Sequence, residues 1–177
     1  MSELSVRLAT TDDLPALRAL MEAAIDQLQS DVLTQEQVKA SHAIMGLDTQ
    51  LIDDQTYFIV ECGGQLAGCG GWSKRATLYG GDHTKATRNP KRLDPAREAA
   101  RVRAMYTHPD FVRRGVGSLV LACCEQEAYM AGFKRAELMA TLAGEKLYAA
   151  AGYRVLERTS ASVDGVTVPL VRMEKPL

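Results

Sequence analysis

No stretch of the 177 residues approaches the ~18–20 consecutive apolar positions that a membrane-spanning helix needs. The first residues, Met1-Ser2-Glu3-Leu4, lack the basic start and apolar core of a secretory signal. An excess of one charge is missing too. Lys and Arg number 21 against 22 Asp and Glu, a net charge of −1 that excludes a general nucleic-acid binder. Four cysteines are present (Cys62, Cys69, Cys123, Cys124) but none has Cys-x-x-Cys spacing, so neither a zinc site nor a dithiol redox motif is written here. Cys123 and Cys124 are neighbours and do not easily bridge to each other. The expectation is four reduced, mostly buried thiols in a cytoplasmic protein, with no metal. The phosphate-binding spacings Gly-x-x-x-x-Gly-Lys-Ser/Thr and Gly-x-Gly-x-x-Gly are also absent, as are repeats and any internal linker.

What is present is an ordinary globular mixture, 46% hydrophobic and 24% charged. At this length residues 1–177 are expected to form one domain, large enough to bury about 70% of its unfolded surface without a staple. The near-zero charge conceals a segregation. Residues 1–61 carry 11 acids and 3 bases, net −8; residues 74–103 carry 9 bases and 3 acids, net +6.

Val6 and Leu8 alternate with Ser5 and Arg7, a strand pattern. Thr10 and Asp13 have capping-box spacing and Pro15 suits a first helical turn. Leu14, Leu17, Met21, Ala24 and Leu28 then recur with helical period. A second helix is expected from Thr34, with Gln37 three residues on, to about Gly46. Tyr57-Phe58-Ile59-Val60 reads as a strand, Gly63-Gly64 as a hairpin turn, and Leu66–Trp72 as the return strand. Gly68, Gly70 and Gly71 in that strand would let a backbone or ligand approach closely. Residues 74–100 show no period and are expected to be a long loop. Val102, Ala104 and Tyr106 alternate with Arg103, Met105 and Thr107, a strand ended by His108-Pro109. A helical stripe from Val116 stops at Gly132. A strand over Ala136–Ala140 and a helix over Leu142–Ala151 follow. Two more strands, Tyr153–Ser162 and Val166–Met173, turn at Asp164-Gly165. The order is β-α-α-β-β-loop-β-α-β-α-β-β.

The informative segment is Arg113-Arg114-Gly115-Val116-Gly117-Ser118 between a strand and a helix. A helix start leaves backbone N–H groups unpaired and carries partial positive charge. Two glycines open it to phosphate oxygens and two arginines add charge, so the physics points to an anion site, most plausibly for pyrophosphate. The order of elements, this turn and the Leu147-Tyr148, Gly152-Tyr153 ending together resemble the GCN5-related N-acetyltransferase (GNAT) family, over essentially the whole chain. The family signature Arg/Gln-x-x-Gly-x-Gly/Ala aligns with Val112–Gly117, with valine in the first position as a departure. Thr141 stands where an asparagine is common, and Gly144 where an alanine is.

The resemblance implies an α+β fold of α/β/α layering: a mixed, mostly antiparallel, splayed central sheet flanked by helices. It implies acetyl-CoA as cosubstrate. Met105, Tyr106 and Thr107 would line a V-shaped splay for the pantetheine arm. Arg113, Arg114, Gly115, Val116, Gly117 and Ser118 would hold the pyrophosphate, and Thr141 would complete the cofactor site. It implies direct attack by a primary amine, of a small molecule or a protein, on the thioester. A backbone N–H near Met105 would meet the oxyanion, and Tyr148 would protonate the leaving thiolate. No nucleic acid or membrane partner is implied, and a homodimer remains open. Glu61, His83, Glu98 and His108 are weighed as general bases and none is assigned. Trp72 and Tyr79 fit either the core or an acceptor pocket. The competing readings are a non-catalytic acyl-CoA-binding sensor or interaction module, and an unrelated nucleotide-phosphate binder. The acidic N-terminal segment is expected to attract protonated amines, and the basic 74–103 segment to help hold an anionic cosubstrate.

Overall fold

Along the first long strand, successive side chains leave the sheet on opposite sides, as a period of two requires. Phe58, Val60 and Cys62 enter one hydrophobic cluster with Val116, Val120 and Cys124. Tyr57 and Ile59 enter another with Leu17, Met21 and Ile25. One sheet therefore separates two apolar layers, each closed by a helix. Fully burying a side chain of this size contributes roughly 1.5–3 kcal/mol.

The computed structural model describes residues 3–84 and 88–177. Met1, Ser2 and, within the expected 74–100 loop, Lys85, Ala86 and Thr87 lie outside the described residues. The strands are β1 (Leu4–Leu8), β2 (Tyr57–Cys62), β3 (Gln65–Ser73), β4 (Ala100–Thr107), β5 (Arg135–Thr141), β6 (Arg154–Val163) and β7 (Val166–Pro176). The helices are α1 (Leu14–Leu28), α2 (Gln35–Ile44), α3 (Thr49–Asp53), α4 (Val116–Met130) and α5 (Glu145–Ala150). The strands form one sheet in the order β1-β2-β3-β4-β5-β7-β6. All neighbours are antiparallel except β4 and β5. The layering and mixed, mostly antiparallel sheet are those expected.

Local signals account for most boundaries. The Gln37 N–H donates to the Thr34 hydroxyl at 3.2 Å, and the Thr34 N–H donates to the Gln37 side chain at 3.0 Å, the reciprocal cap that starts α2. Both hairpin turns, Gly63-Gly64 and Asp164-Gly165, use two positive φ angles. Two expectations are corrected. The short helix α3, capped by Asp48 through the Gln50 N–H at 3.0 Å, carries too few residues to show a period. Residues 142–144 form a turn rather than the start of α5, because the Thr141 hydroxyl accepts the Gly144 N–H at 3.2 Å. The glycines of β3 do admit close neighbours, and these are protein: a Cβ on Gly71 would sit 2.5 Å from the Thr56 carbonyl oxygen. A Cβ on Gly68 would sit 2.3 Å from Val116 Cγ1, and one on Gly70 would sit 2.7 Å from Val120 Cγ1. They let α4 lie close on the sheet.

The described residues of the 74–100 segment are docked rather than loose. Arg103, 3% exposed, donates to Asp48 Oδ2 at 2.9 Å and to the Gly80 carbonyl at 3.0 Å. Arg88 donates to the other oxygen of Asp48 at 2.6 Å. Arg75 pairs with Asp54 at 2.7 Å, and a single bridge joins Arg75 to Arg92. Burial pulls the Arg103 guanidinium below its ordinary pKa while Asp48 opposes that shift.

Two outcomes follow from this packing. Asp48→Ala leaves the Arg103 guanidinium buried without its counter-charge and is expected to cost about 3–5 kcal/mol in urea unfolding. Gly68→Ala is expected to cost about 1–3 kcal/mol through overpacking on Val116. Part of that loss should return in the Gly68→Ala, Val116→Ala double variant; an additive double variant would contradict the contact.

Candidate active site

The register of β4 creates the site. β4 pairs with β5 only at Ala100–Ala136 and Arg101–Glu137. Beyond Arg101 the two parallel strands diverge, although β5 continues to Thr141 in pairing with β7. On its other side β4 bulges against β3: Cys69 faces Tyr106 and Gly71 faces Arg103, so three steps along β4 match two along β3. Ala104 takes up the extra residue with φ of 49°. This breaks the simple alternation expected from sequence, and Arg103 is buried instead of facing solvent.

A buried tyrosine holds the bulge. Tyr57, 1% exposed, donates its hydroxyl to the Ala104 carbonyl at 2.6 Å. Ala104 and Met105 have no register partner on β3 or β5. Carbonyl and N–H of one peptide unit point in opposite directions, so fixing the Ala104 carbonyl also fixes the Met105 N–H. Hydrogen bonding to that carbonyl polarises the unit and strengthens its donor.

The divergence opens a cavity of about 830 Å³. Met105, Tyr106, Thr107, Arg113, Gly115, Val116, Gly117, Ser118, Thr141 and Tyr148 all line it. Arg114 does not; its guanidinium stands over the Phe111 ring, 5.3 Å from the centroid. At one end lies the start of α4. The first intrahelical bond there runs from the Leu119 N–H to the Gly115 carbonyl, so Val116, Gly117 and Ser118 present N–H groups without a helical acceptor. The two glycines serve differently. Gly115 sits at φ of 83° with nothing within 4 Å of an added Cβ, so this corner is open. Gly117 makes room for Leu147, whose Cδ2 would lie 2.8 Å from an added Cβ. Val112, the departure from the signature, is exposed and removes no backbone donor.

Tyr148 is 8% exposed and stacks edge-on with Tyr153, ring centres 6.0 Å apart. Its hydroxyl has no hydrogen-bond partner among the described residues. Burial first, and the nearby Cys124 second, push its pKa up, so it stays a phenol at neutral pH. Tyr106 accepts the Gly46 N–H at 3.0 Å and burial pushes its pKa up too. Cys69 also lines the cavity, but burial pushes its thiol up to about 12 even with Tyr57 hydrogen-bonded to it. It is therefore a thiol rather than a nucleophilic thiolate.

The bases considered from sequence stand elsewhere. Glu61 accepts from Arg7 at 3.2 Å, Glu98 caps the Asp94 N–H at 2.9 Å, and His83 donates to the His42 carbonyl at 3.0 Å. His108 accepts the Asp110 N–H at 3.1 Å. None of the four lines the cavity; Asp31 is the carboxylate that does. Trp72 belongs to the core, donating to Glu127 at 2.9 Å, whereas Tyr79 lines the cavity. Part of the segregated charge meets in space: Arg75 pairs with Asp54, and Arg88 and Arg103 with Asp48. Those arginines are committed within the fold, which corrects their expected role in holding a cosubstrate. Tyr57 and Asp48, both important to this geometry, carry no site signal in sequence. Tyr57 reads as an ordinary strand aromatic, and Asp48 is traceable only as a helix cap.

The acetyltransferase (GNAT) domain profile matches residues 53–155. The search of curated proteins returns no significant match. Among solved structures, a GCN5-related N-acetyltransferase from Rhodopseudomonas palustris superposes with a TM-score of 0.74 at 22% identity, covering 100% of this chain and 98% of that one. The PaiA N-acetyltransferase from Thermoplasma acidophilum, in complex with coenzyme A, gives 0.64 at 12% identity, covering 99% of each chain. YncA, a putative acetyltransferase from Salmonella typhimurium with its cofactor acetyl-CoA, gives 0.63 at 17% identity over 98% of this chain and 93% of that one. With the diverging strands, the open helix start and the profile match in agreement, the chain belongs to the GCN5-related N-acetyltransferase family.

Proposed function

We propose that residues 1–177 act as one catalytic unit that transfers an acetyl group from acetyl-CoA to a primary amine. The observation that carries this reading is the continuity of one cavity from the uncapped α4 start to the unpartnered Tyr148 hydroxyl. The residues present fit the cosubstrate. Three unpaired N–H groups and the open corner at Gly115 suit phosphate oxygens. Arg113 and Arg114 make no ion pair among the described residues and lie at that corner. Unpaired backbone of β4 suits an amide-bearing arm, with Thr141 on the facing strand.

Acetyl-CoA supplies the activated thioester, and the chain's own groups do the rest. The Met105 N–H, oriented through Tyr57, meets the charge that grows on the acetyl oxygen. Tyr148 gives its proton to the departing sulfur. The C–N bond forms as the C–S bond breaks, and the amine loses one proton to water, which balances the proton taken from Tyr148. Cys69, held as a thiol by burial, is poorly suited to form an acyl-enzyme, which supports direct transfer. In this reading Asp31, the carboxylate that lines the cavity, receives that proton through water.

Titration calorimetry with acetyl-CoA and steady-state assays on an amine panel test this. Tyr148→Phe is expected to lower kcat about 10²-fold or more while leaving acetyl-CoA affinity unchanged. Arg113→Ala with Arg114→Ala is expected to raise the acetyl-CoA Kd about tenfold or more and to flatten its dependence on salt. A wild-type protein that binds acetyl-CoA but acetylates no amine would favour the non-catalytic acyl-CoA-binding reading instead.

A further inference from the structure

The point where the cavity closes is marked by a pair of charges. β4 and β5 are in register at only two positions, Ala100–Ala136 and Arg101–Glu137, and no register pair follows. Ala136, Leu138 and Ala140 enter the core with α4, so Glu137 stands on the opposite face of β5. Farther along that face Met139 and Thr141 line the cavity, and on β4 Arg103 does the same. Arg101 and Glu137 are therefore the last register pair before the strands part. Glu137 is 4% exposed. Its carboxylate accepts from Arg101 of β4 at 2.8 Å and, on the other side, from Arg172 of β7.

A second carboxylate supplies the comparison. Glu174 of β7 lies directly opposite Glu137 in register. Like charges at facing positions repel, and each is held by its own two arginines. Glu174 accepts from Arg135 at 3.2 Å and from Arg154 at 2.7 Å, so it ties β5, β7 and β6 together. Those three strands are already paired along most of their length. β4 and β5 are not. Two register pairs of a parallel ladder supply few main-chain bonds, so the spacing of β4 from β5 at the fork rests on the bond between Arg101 and Glu137. Neutralising Glu137 leaves the guanidiniums of Arg101 and Arg172 on either side of it with no carboxylate between them, and like charges then push the fork apart.

We infer that Glu137 is a positioning residue for cosubstrate binding: its ion pair with Arg101 fixes where the two parallel strands part, and so sets the width of the cleft that takes acetyl-CoA. This rests on the acetyltransferase reading above. Glu137 does not line the cavity and takes no proton in the transfer. It acts through the placement of β4 against β5.

The test uses single variants of the full chain, read by titration calorimetry with acetyl-CoA and by thermal unfolding. Glu137→Gln should raise the acetyl-CoA Kd about tenfold, the scale of one hydrogen bond to a charged group, and lower Tm by several degrees. Arg101→Gln removes the β4 side of the same bond and should raise Kd to a similar extent, which gives the same reading from a variant that leaves the carboxylate in place. Glu174→Gln loses the same chemistry on the neighbouring strand. It should lower Tm as Glu137→Gln does while leaving Kd unchanged. A wild-type chain that does not bind acetyl-CoA overturns both this inference and the function it rests on. With wild-type binding intact, an unchanged Kd in Arg101→Gln or Glu137→Gln overturns this inference alone. So does a Glu174→Gln variant whose Kd rises as far, because the cleft would then be responding to general loss of stability.

Discussion

The hydrogen bond from the Tyr57 hydroxyl to the Ala104 carbonyl holds a backbone conformation that alanine does not adopt unaided. A non-glycine residue in the left-handed region costs roughly 1–3 kcal/mol, and one hydrogen bond returns about 0.5–1.5 kcal/mol. The remainder comes from the ordered pairing of β3 with β4 on both sides of the bulge. Without the bulge β4 would continue in register and the 104–105 peptide would be spent on the sheet. With it, that peptide faces the cavity, Arg103 turns inward to hold Asp48, and the strand is free to leave β5. The cavity, the docked 74–100 segment and the exposed donors of β4 all trace to this one irregularity.

Charge arranges the same region by neutralisation rather than by long-range attraction. Asp48 and Asp54 of the first third are far in sequence from Arg75, Arg88 and Arg103 and adjacent to them in space. Buried pairs of this kind add little net stability over an apolar contact but are expensive to break. They serve to fix where the excursion lies. Arg113 and Arg114, at the helix start, make no ion pair among the described residues, and neither does Lys146, which lines the cavity.

Much of this was legible in the sequence because it depends on local rules. Paired positive-φ turns, a reciprocal cap at Thr34 and Gln37, and helical or strand periods are set by neighbouring residues, and each corresponded to an observed element. The anion corner was legible because unpaired N–H groups and glycines lie in one short run. The rest is long-range. Nothing local announces that Ala104 will be left-handed, since the cause is a tyrosine 47 residues away in the chain. The burial of Arg103 depends on Asp48, and the glycines of β3 answer to Val116 and Val120. The end of the cavity away from α4 is assembled from α1, α2 and the 78–80 segment, three stretches with no common pattern.

The anchoring of the excursion separates two demands that usually conflict. Arg103 grips main-chain carbonyls, those of Thr77 and Gly80, while the side chains of Leu78 and Tyr79 between them face the cavity. Backbone atoms are common to every residue type. Substitution at 78 and 79 can therefore reshape the acceptor wall without loosening the tether that holds it, leaving selectivity free to drift while the framework stays put.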